Sequence, residues 1–599
     1  MKTLSYGQGS FVQCKAEELT LRLSARLFDA GLWATIQAWF QTDVRASHWL
    51  SAPFRVMTAE EDVPGYPRWK QFGVDVLSWV IFHLLVPPDH ILVRLWQIID
   101  WAGINRLCAH IYKNSKSGQR AWAPAQLFAL LILFFVLPVP SECALLRLVP
   151  IVPLYRWFCG LGLFSILPDH STLYDFRKNV GVELFEAILT WVVLRCLKAG
   201  LIANELAHFD MMGVEASARA WTPHERAVLL TLALTRYLEL AHKGKAPDVP
   251  LPEALRQLAA EIAIEVLGNK RLKKDPKAPS RVLKSLERWT QLQQEAKGQA
   301  LWDMSLEEAV KTLLGEEAEG EKEKEPSSSP QEPEAQRRWL KGIAQRLKDL
   351  LPHAKGDLDA RVGWVSRVSL LCGYWVGFLS DGLHGVITAV RVTPLNIVQH
   401  TQMIPALDAH KERVGDYPEE VAADSAQDYY PVHQDLDERQ IKGHIAGRNH
   451  RGVGGGLSSD YFTWDEEGQL HCPAGKVMKP GKPAKDGRTP FKAKASDCAS
   501  CSRKAKCLPK GQQPDGPRRI QLEPAAHQRW LQNREHTHTD EYKEAQKKRF
   551  ASEGLFGLAV RLHGADKMPY RSDPMNQIAG LMMGITMNLA LLARHGASA

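Results

Sequence analysis

A chain of 599 residues is too long for one simple core, and 45% apolar with 24% charged residues excludes a disordered chain. The net charge of +8 is a mild basic excess, placed unevenly: acidic residues gather between Glu316 and Gln336, while Arg439 to Arg519 is rich in Lys and Arg, which suits phosphate backbones. Ten cysteines in so long a chain exclude a disulfide scaffold. Cys14, Cys108, Cys143, Cys159, Cys196 and Cys372 read as buried thiols, and the other four cluster near the C-terminus as metal ligands do in a reducing compartment. The N-terminal MKTLSYGQGSFVQCKAEE lacks the apolar core of a signal peptide, so a cytoplasmic location is expected.

In chain order, residues 1–117 read as a helical N-terminal region and 118–200 as a second helical domain. The runs FGVDVLSWVIFHLLVPPDHILVRLW and AQLFALLILFFVLPV are broken or too short to span a bilayer, and both read as buried core helices. In Tyr155 to Gly181, Asp169 or Ser171 caps a helix that carries Tyr174 and Phe176 and presents Arg177 and Lys178 outward. Either it is part of a helix-turn-helix that reads DNA, or a bundle helix that only packs. An apolar helix, Leu184 to Gly200, then leads to LAHFDMMGVEASARA, a strand that carries Asp210.

From Trp221 to His353 the spacing is helical, and the charged, Pro/Ser-rich stretch 316–336 reads as a disordered linker. This block interrupts a core formed by 201–220 and 354–438. RVSLLCGYWVGFLSDGLHGVITAVRVTP divides into strands broken at Ser380-Asp381-Gly382 and Gly385. A helix, MIPALDAHKERVG, leads to the strand EEVAADSAQDYY, which ends at Asp424. Residues 439–520 read as a basic loop and a cysteine insert. Cys472, Cys498, Cys501 and Cys507 follow C-x25-C-x2-C-x5-C, a spacing that suits a closed tetrahedral zinc site with Lys504 and Lys506 displayed on a knuckle. Residues 521–599 hold two helices; Arg549 and Glu553 lie four apart on the first, with Arg561 two turns beyond Glu553.

Several of these stretches resemble bacterial insertion-sequence DDE transposases. F-C-G-L-G followed by P-D-H-S-T-L-Y-D-F-R is similar to their N-terminal domain, which helps bind the element's ends. Gly373, Tyr374, Asp381, Ile387, Thr393, Pro394, Asn396 and His400 follow in the family's order. The insert with four cysteines, between the second and third carboxylates, resembles the IS1182 family in particular. Met211, Met212, Ala426 and Val560 depart from the family pattern.

The resemblance implies an α/β fold: a ribonuclease-H-like core of mixed sheet and helices, interrupted by a helical insertion, preceded by an all-α domain and carrying a small zinc insert with four cysteine ligands. It implies two Mg²⁺ (or Mn²⁺) ions held by Asp210, Asp424 and Glu553, with Arg549 and Arg561 holding the DNA strand. The partners implied are double-stranded DNA at the element's ends and at the target, and further copies of the chain in a dimer or larger multimer. A nuclease of the same fold, a catalytically decayed DNA-binding protein and a membrane-associated helical protein are the competing readings.

Overall fold

The structure is a computed structural model that describes residues 48–58, 76–111, 121–243, 252–295, 333–563 and 566–595, apart from 352, 358, 367–368, 449–454, 486 and 511–515. Cys14, the N-terminal MKTLSYGQ segment and residues 316–332 of the charged stretch lie outside the described residues. The chain divides into two compact units, 1–184 with 589–599, and 185–588.

The described part of the first unit is helical: α1 (His48–Val56), α2 (Val76–Leu85), α3 (Ile91–Ile98), α4 (Trp101–Cys108), α5 (Pro124–Val136), α6 (Glu142–Leu148), α7 (Pro153–Phe158) and the first part of α8 (His170–Lys198). Apolar on every face, α5 is buried from Pro124 to Phe135, which is why its sequence shows no amphipathic stripe. The run before it is split at Pro87-Pro88 into α2 and α3, and Leu84 and Leu85 of α2 are exposed, so only part of that run is core. Cys143, read as a buried thiol, is exposed in the first turn of α6.

Asp169 caps α8, its Oδ1 accepting from Thr172 N at 2.8 Å. These bonds, with those from the Thr172 and Ser171 hydroxyls, hold its carboxyl down at about 2. α8 bends at Gly181, whose φ of 76° is left-handed and suits a residue without a side chain.

The second unit is built on a six-stranded sheet: β1 (Leu206–Glu215), β4 (Arg361–Trp364), β5 (Leu370–Asp381), β6 (Ile387–Pro394), β7 (Glu420–Ala423) and β8 (Lys442–Ile445). β1 lies between β5, antiparallel to it, and β7, parallel to it. β8 runs parallel beyond β7, while β6 and β4 pair antiparallel with β5. Parallel pairs need crossovers. Helix α14 (Met403–Val414) supplies one before β7, and α15 (Tyr430–Glu438) supplies the next before β8.

One face of the sheet buries Ala207, Phe209, Met211, Val421 and Ala423 against Met403, Leu407 and Leu436 of these helices. The other face carries α19 (Asp540–His563), where Ala545 packs on Leu206 and Ala422 and Phe556 stacks on Phe378 at 4.9 Å. α20 (Asp573–Arg594) lies along β6, where Gly580 and Gly584 let it approach Val392 and Val390. Asn588 both accepts from and donates to the backbone of Ile387. Among the described residues α20 alone is long and apolar enough to cross a membrane, and 83% of its most apolar window is buried.

Between β1 and β4 the chain leaves and rejoins the sheet through a short stem of β2 (Arg219–Ala220) paired with β3 (Ala354–Lys355). Trp221 N donates to His353 O at 2.9 Å across this stem. Beyond it α9 (Pro223–Lys243), α10 (Glu253–Leu267), α11 (Lys270–Lys273), α12 (Ala278–Glu295) and α13 (Pro333–Leu350) pack around their own apolar clusters. Residues Pro333 to Gln336, assigned to a linker by composition, form the first turn of α13.

The segment read as a basic loop and cysteine insert holds more structure than its sequence advertises. Lys442–Ile445 is not loop but β8, the edge strand of the main sheet. Further on, β9 (Thr463–Trp464), β10 (Leu470–His471), β11 (Val477–Pro480), β12 (Thr489–Lys492) and β13 (Arg519–Leu522) form a five-stranded antiparallel sheet. Phe462, Leu470, Met478, Phe491 and Leu522 make its core, with α16 (Ala495–Ala499) and α17 (Lys504–Cys507) attached. α18 (Pro524–His536) then leads to α19.

Candidate active site

The register of β1 against β7 builds the site. Phe209 is paired with Ala423 in parallel on strands about 5 Å apart, so the residues that follow, Asp210 within β1 and Asp424 just past the end of β7, are neighbours. Each carboxylate is oriented by backbone: Asp210 Oδ1 accepts from Met211 N at 2.8 Å, and Asp424 Oδ1 accepts from Ala426 N at 3.0 Å. Met211 points to the opposite face, where Gly377 of β5 makes room for it; a Cβ there would stand 2.9 Å from Met211 Cγ. The bulk of Met211 is therefore absorbed away from the carboxylates, whereas Met212, two residues after Asp210 on the same strand, shares the face of that aspartate.

α19 supplies the third side. Arg549 is buried and reaches Asp210 Oδ2 with Nη1 at 3.5 Å. Gln546, one turn earlier, donates from Nε2 to Ala423 O at 3.1 Å and to His444 O at 2.6 Å, and its Oε1 accepts from Arg549 Nε at 2.9 Å. Gln546 thus pins the helix to the strand that ends at Asp424 and aims Arg549 at Asp210. Sequence reasoning missed it; its one signal was a position one helical turn before Arg549. Glu553 lies one turn after Arg549 on α19, and its side chain lies outside the described residues.

Beneath Asp210, on the same strand face, His208 is 3% exposed and both its ring nitrogens lack a hydrogen-bond partner. Burial, then the Arg549 charge, pushes its pKa down to about 4, so the ring is neutral at pH 7. Asp428, the other acidic residue of the second motif, is buried. It accepts from His433 Nε2 at 2.8 Å, Asn533 Nδ2 at 3.0 Å and Arg448 N at 2.8 Å. Its hydrogen bonds assign it to structure rather than to the site. Asp381 likewise serves the turn before β1, accepting from Ala203 N and Asn204 N.

The residues expected to touch DNA separate. Arg561 is exposed on α19, where its Nε donates to Gly557 O at 3.1 Å. Lys178 is exposed on α8. Arg177, expected beside it on the outside, is instead 3% exposed and ion-paired with Glu142. Its helix position falls with Leu173, Phe176 and Val180 on the packed face, and α6 supplies the counter-charge that makes its burial tolerable. Lys504 is half-buried and Lys506 exposed on α17.

Cys472, Cys498, Cys501 and Cys507 all line one cavity, together with Lys504 and Arg518. Burial raises the Cys507 thiol, and the Arg518 guanidinium opposes that shift. Elsewhere, ligand atoms of Glu420, His444 and Glu541 lie within 4.8 Å of one another. His444 Nε2 stands 3.1 Å from Glu420 Oε2 and its Nδ1 3.0 Å from His536 Nε2, while Glu541 is ion-paired with Lys442.

Two family models match the chain. Residues 81–179 match the model described as Transposase domain (DUF772), and residues 471–593 match the one described as Transposase DDE domain. The second match covers Arg549 and the Glu553 position but stops short of Asp210 and Asp424. No curated protein and no solved structure matches.

Proposed function

Since this chain is an insertion-sequence DDE transposase, an enzyme that acts on DNA, we propose that Asp210, Asp424 and Glu553 are its carboxylate triad. The observation that carries this is the pairing of Phe209 with Ala423, from which the two aspartates emerge side by side beneath the helix of Glu553. A central strand that carries Asp210 midway and a parallel neighbour that ends just before Asp424 support a ribonuclease-H-like core. The helices beyond the β2–β3 stem are then an insertion into that core.

Divalent metal use goes with the family, and a cluster of hard carboxylate oxygens suits Mg²⁺ or Mn²⁺. Two such ions, when bound, activate the attacking hydroxyl and stabilise the leaving oxygen of an in-line displacement at phosphorus. The chain's own residues do the rest. Met211 N and Ala426 N orient the two aspartates. Arg549 balances the Asp210 charge and would hold a DNA phosphate drawn to that aspartate's metal. Gln546 fixes the distance between helix and sheet.

Arg561, Lys178, Lys504 and Lys506 are the outlying DNA contacts. The cavity shared by four cysteines supports a structural zinc site. The reaction is cleavage at the element's ends followed by strand transfer, carried out by at least two copies of the chain in the bacterial cytoplasm. The test is divalent-metal-dependent cleavage of DNA bearing the sequences that flank the gene, by wild type and Glu553→Gln. Cleavage at a defined end by wild type alone is expected. Equal cleavage by both removes Glu553 from the site, and cleavage without joining in a strand-transfer assay reduces the enzyme to a nuclease.

A further inference from the structure

The helical insertion carries a dense cationic surface. Between Lys270 and Arg288 stand eight basic residues, Lys270, Arg271, Lys273, Lys274, Lys277, Arg281, Lys284 and Arg288, against two acidic ones, Asp275 and Glu287. All eight are exposed. Their placement is not a loose tail. Asn269 caps α11 through Arg271 N and Leu272 N, and Asp275 closes the corner by accepting Lys277 N at 3.0 Å and pairing with Arg281. Leu272, Ala278, Val282 and Leu286 anchor the corner and α12 in the insertion's own core.

Arg281, Lys284 and Arg288 recur at steps of three and four residues, so they form one stripe on the side of α12 away from Ala278, Val282 and Leu286, and Lys277, the residue before the helix, extends it. Like charges at i,i+4 oppose helix formation by a few tenths of a kcal/mol per pair, a repulsion that a polyanion relieves. The stripe is about 16 Å long, the span of roughly five base pairs of duplex.

We infer that this corner of the insertion is a second DNA-contact surface, one that grips the phosphate backbone of duplex DNA without reading its sequence. The partner rests on the transposase reading; the surface rests on its own charge and rigidity. The test is fluorescence-anisotropy titration of the full chain with a labelled duplex of random sequence, across a salt series. The variants are Lys277→Ala/Lys284→Ala/Arg288→Ala and, as a matched control, Arg338→Ala/Arg346→Ala/Lys348→Ala on α13.

Loss of three phosphate contacts flattens the slope of log affinity against log salt by about 3, and the ratio of wild-type to variant affinity then falls about 40-fold between about 50 and 200 mM salt. The patch variant, with its melting temperature unchanged, is expected to show this and the control is not. An unchanged slope in the patch variant overturns the proposal, as does an equal change in the control. Lost binding to phosphatidylserine vesicles with intact binding to DNA also overturns it, because the partner is then a membrane. If the wild type binds neither this duplex nor one bearing the sequences that flank the gene, the transposase reading fails together with the proposal, whereas binding with an unchanged slope in the patch variant overturns the proposal alone.

Discussion

The main sheet and the cysteine sheet assemble their sites in opposite ways. In the cysteine sheet, Cys498 and Cys507 lie on two adjoining short helices, Cys501 on the link between them and Cys472 on a nearby turn, so local chain geometry converges all four. In the main sheet, Asp210, Asp424 and Arg549 come from remote parts of the chain and meet only because β1 pairs with β7 and α19 crosses both. A site made locally tolerates insertions elsewhere. A site made from register does not tolerate errors in pairing, which is why the chain's large insertion re-enters through the β2–β3 stem and leaves β1 undisturbed.

The comparison can be tested at each point where the two sites differ. Asp424→Asn keeps the shape and the acceptor for Ala426 N, so the melting temperature stays within a few degrees while metal-dependent cleavage falls by roughly 10³-fold or more. Gly373→Ala attacks the register itself: a Cβ there would stand 1.9 Å from Val214 O on β1, and chemical denaturation is expected to show a loss of about 3 kcal/mol. Gln546→Ala removes the pin between α19 and β7. About 2 kcal/mol of stability goes, and cleavage slows because Arg549 loses its support.

Cys498→Ser/Cys501→Ser is expected to cost about one zinc per chain by elemental analysis and to loosen the small sheet, while hydrogen exchange in β1, β5 and β7 stays unchanged. If protection in the main sheet falls as well, the two regions are not independent.

The smallest effect is in pH. His410, which bonds Thr388 and Asn204 behind the main sheet, has its pKa pushed down to about 4, chiefly by burial. The unfolded chain binds this proton at about 6.5. The unfolded state therefore gains protons first, and stability falls as pH drops from about 6.5 toward about 4. His410→Gln should lessen the fall in melting temperature across that window, and an unchanged pH profile removes His410 as a source. The remainder of the fall comes from His208 and His353, whose pKa values burial likewise pushes down to about 4.

Asp424 was legible as a strand-end carboxylate and the four cysteines as a cluster by their spacing, because those signals lie in contiguous residues, whereas the strand read as ending at Asp210 runs on to Glu215 through its pairing with β5. α5 was legible as a buried helix because it is apolar on every face. The strands β9 to β13 were not legible, since runs of two to four residues carry no periodicity to read. β8 was lost in the same way: Lys442 to Ile445 alternates for only four residues between charged neighbours.

By itself, then, the amino-acid order determined that Asp424 follows a strand, that α5 is apolar throughout, and that the motifs follow a transposase sequence. Tertiary structure decided the rest. It turned Arg177 inward to Glu142, gave Gln546 its task, and sent Asp428 into structure while leaving Asp424 beside Asp210. The reason is physical. Helix faces and caps depend on neighbours a few residues away, whereas strand pairing and charge burial depend on partners that the chain supplies only after it has folded back on itself.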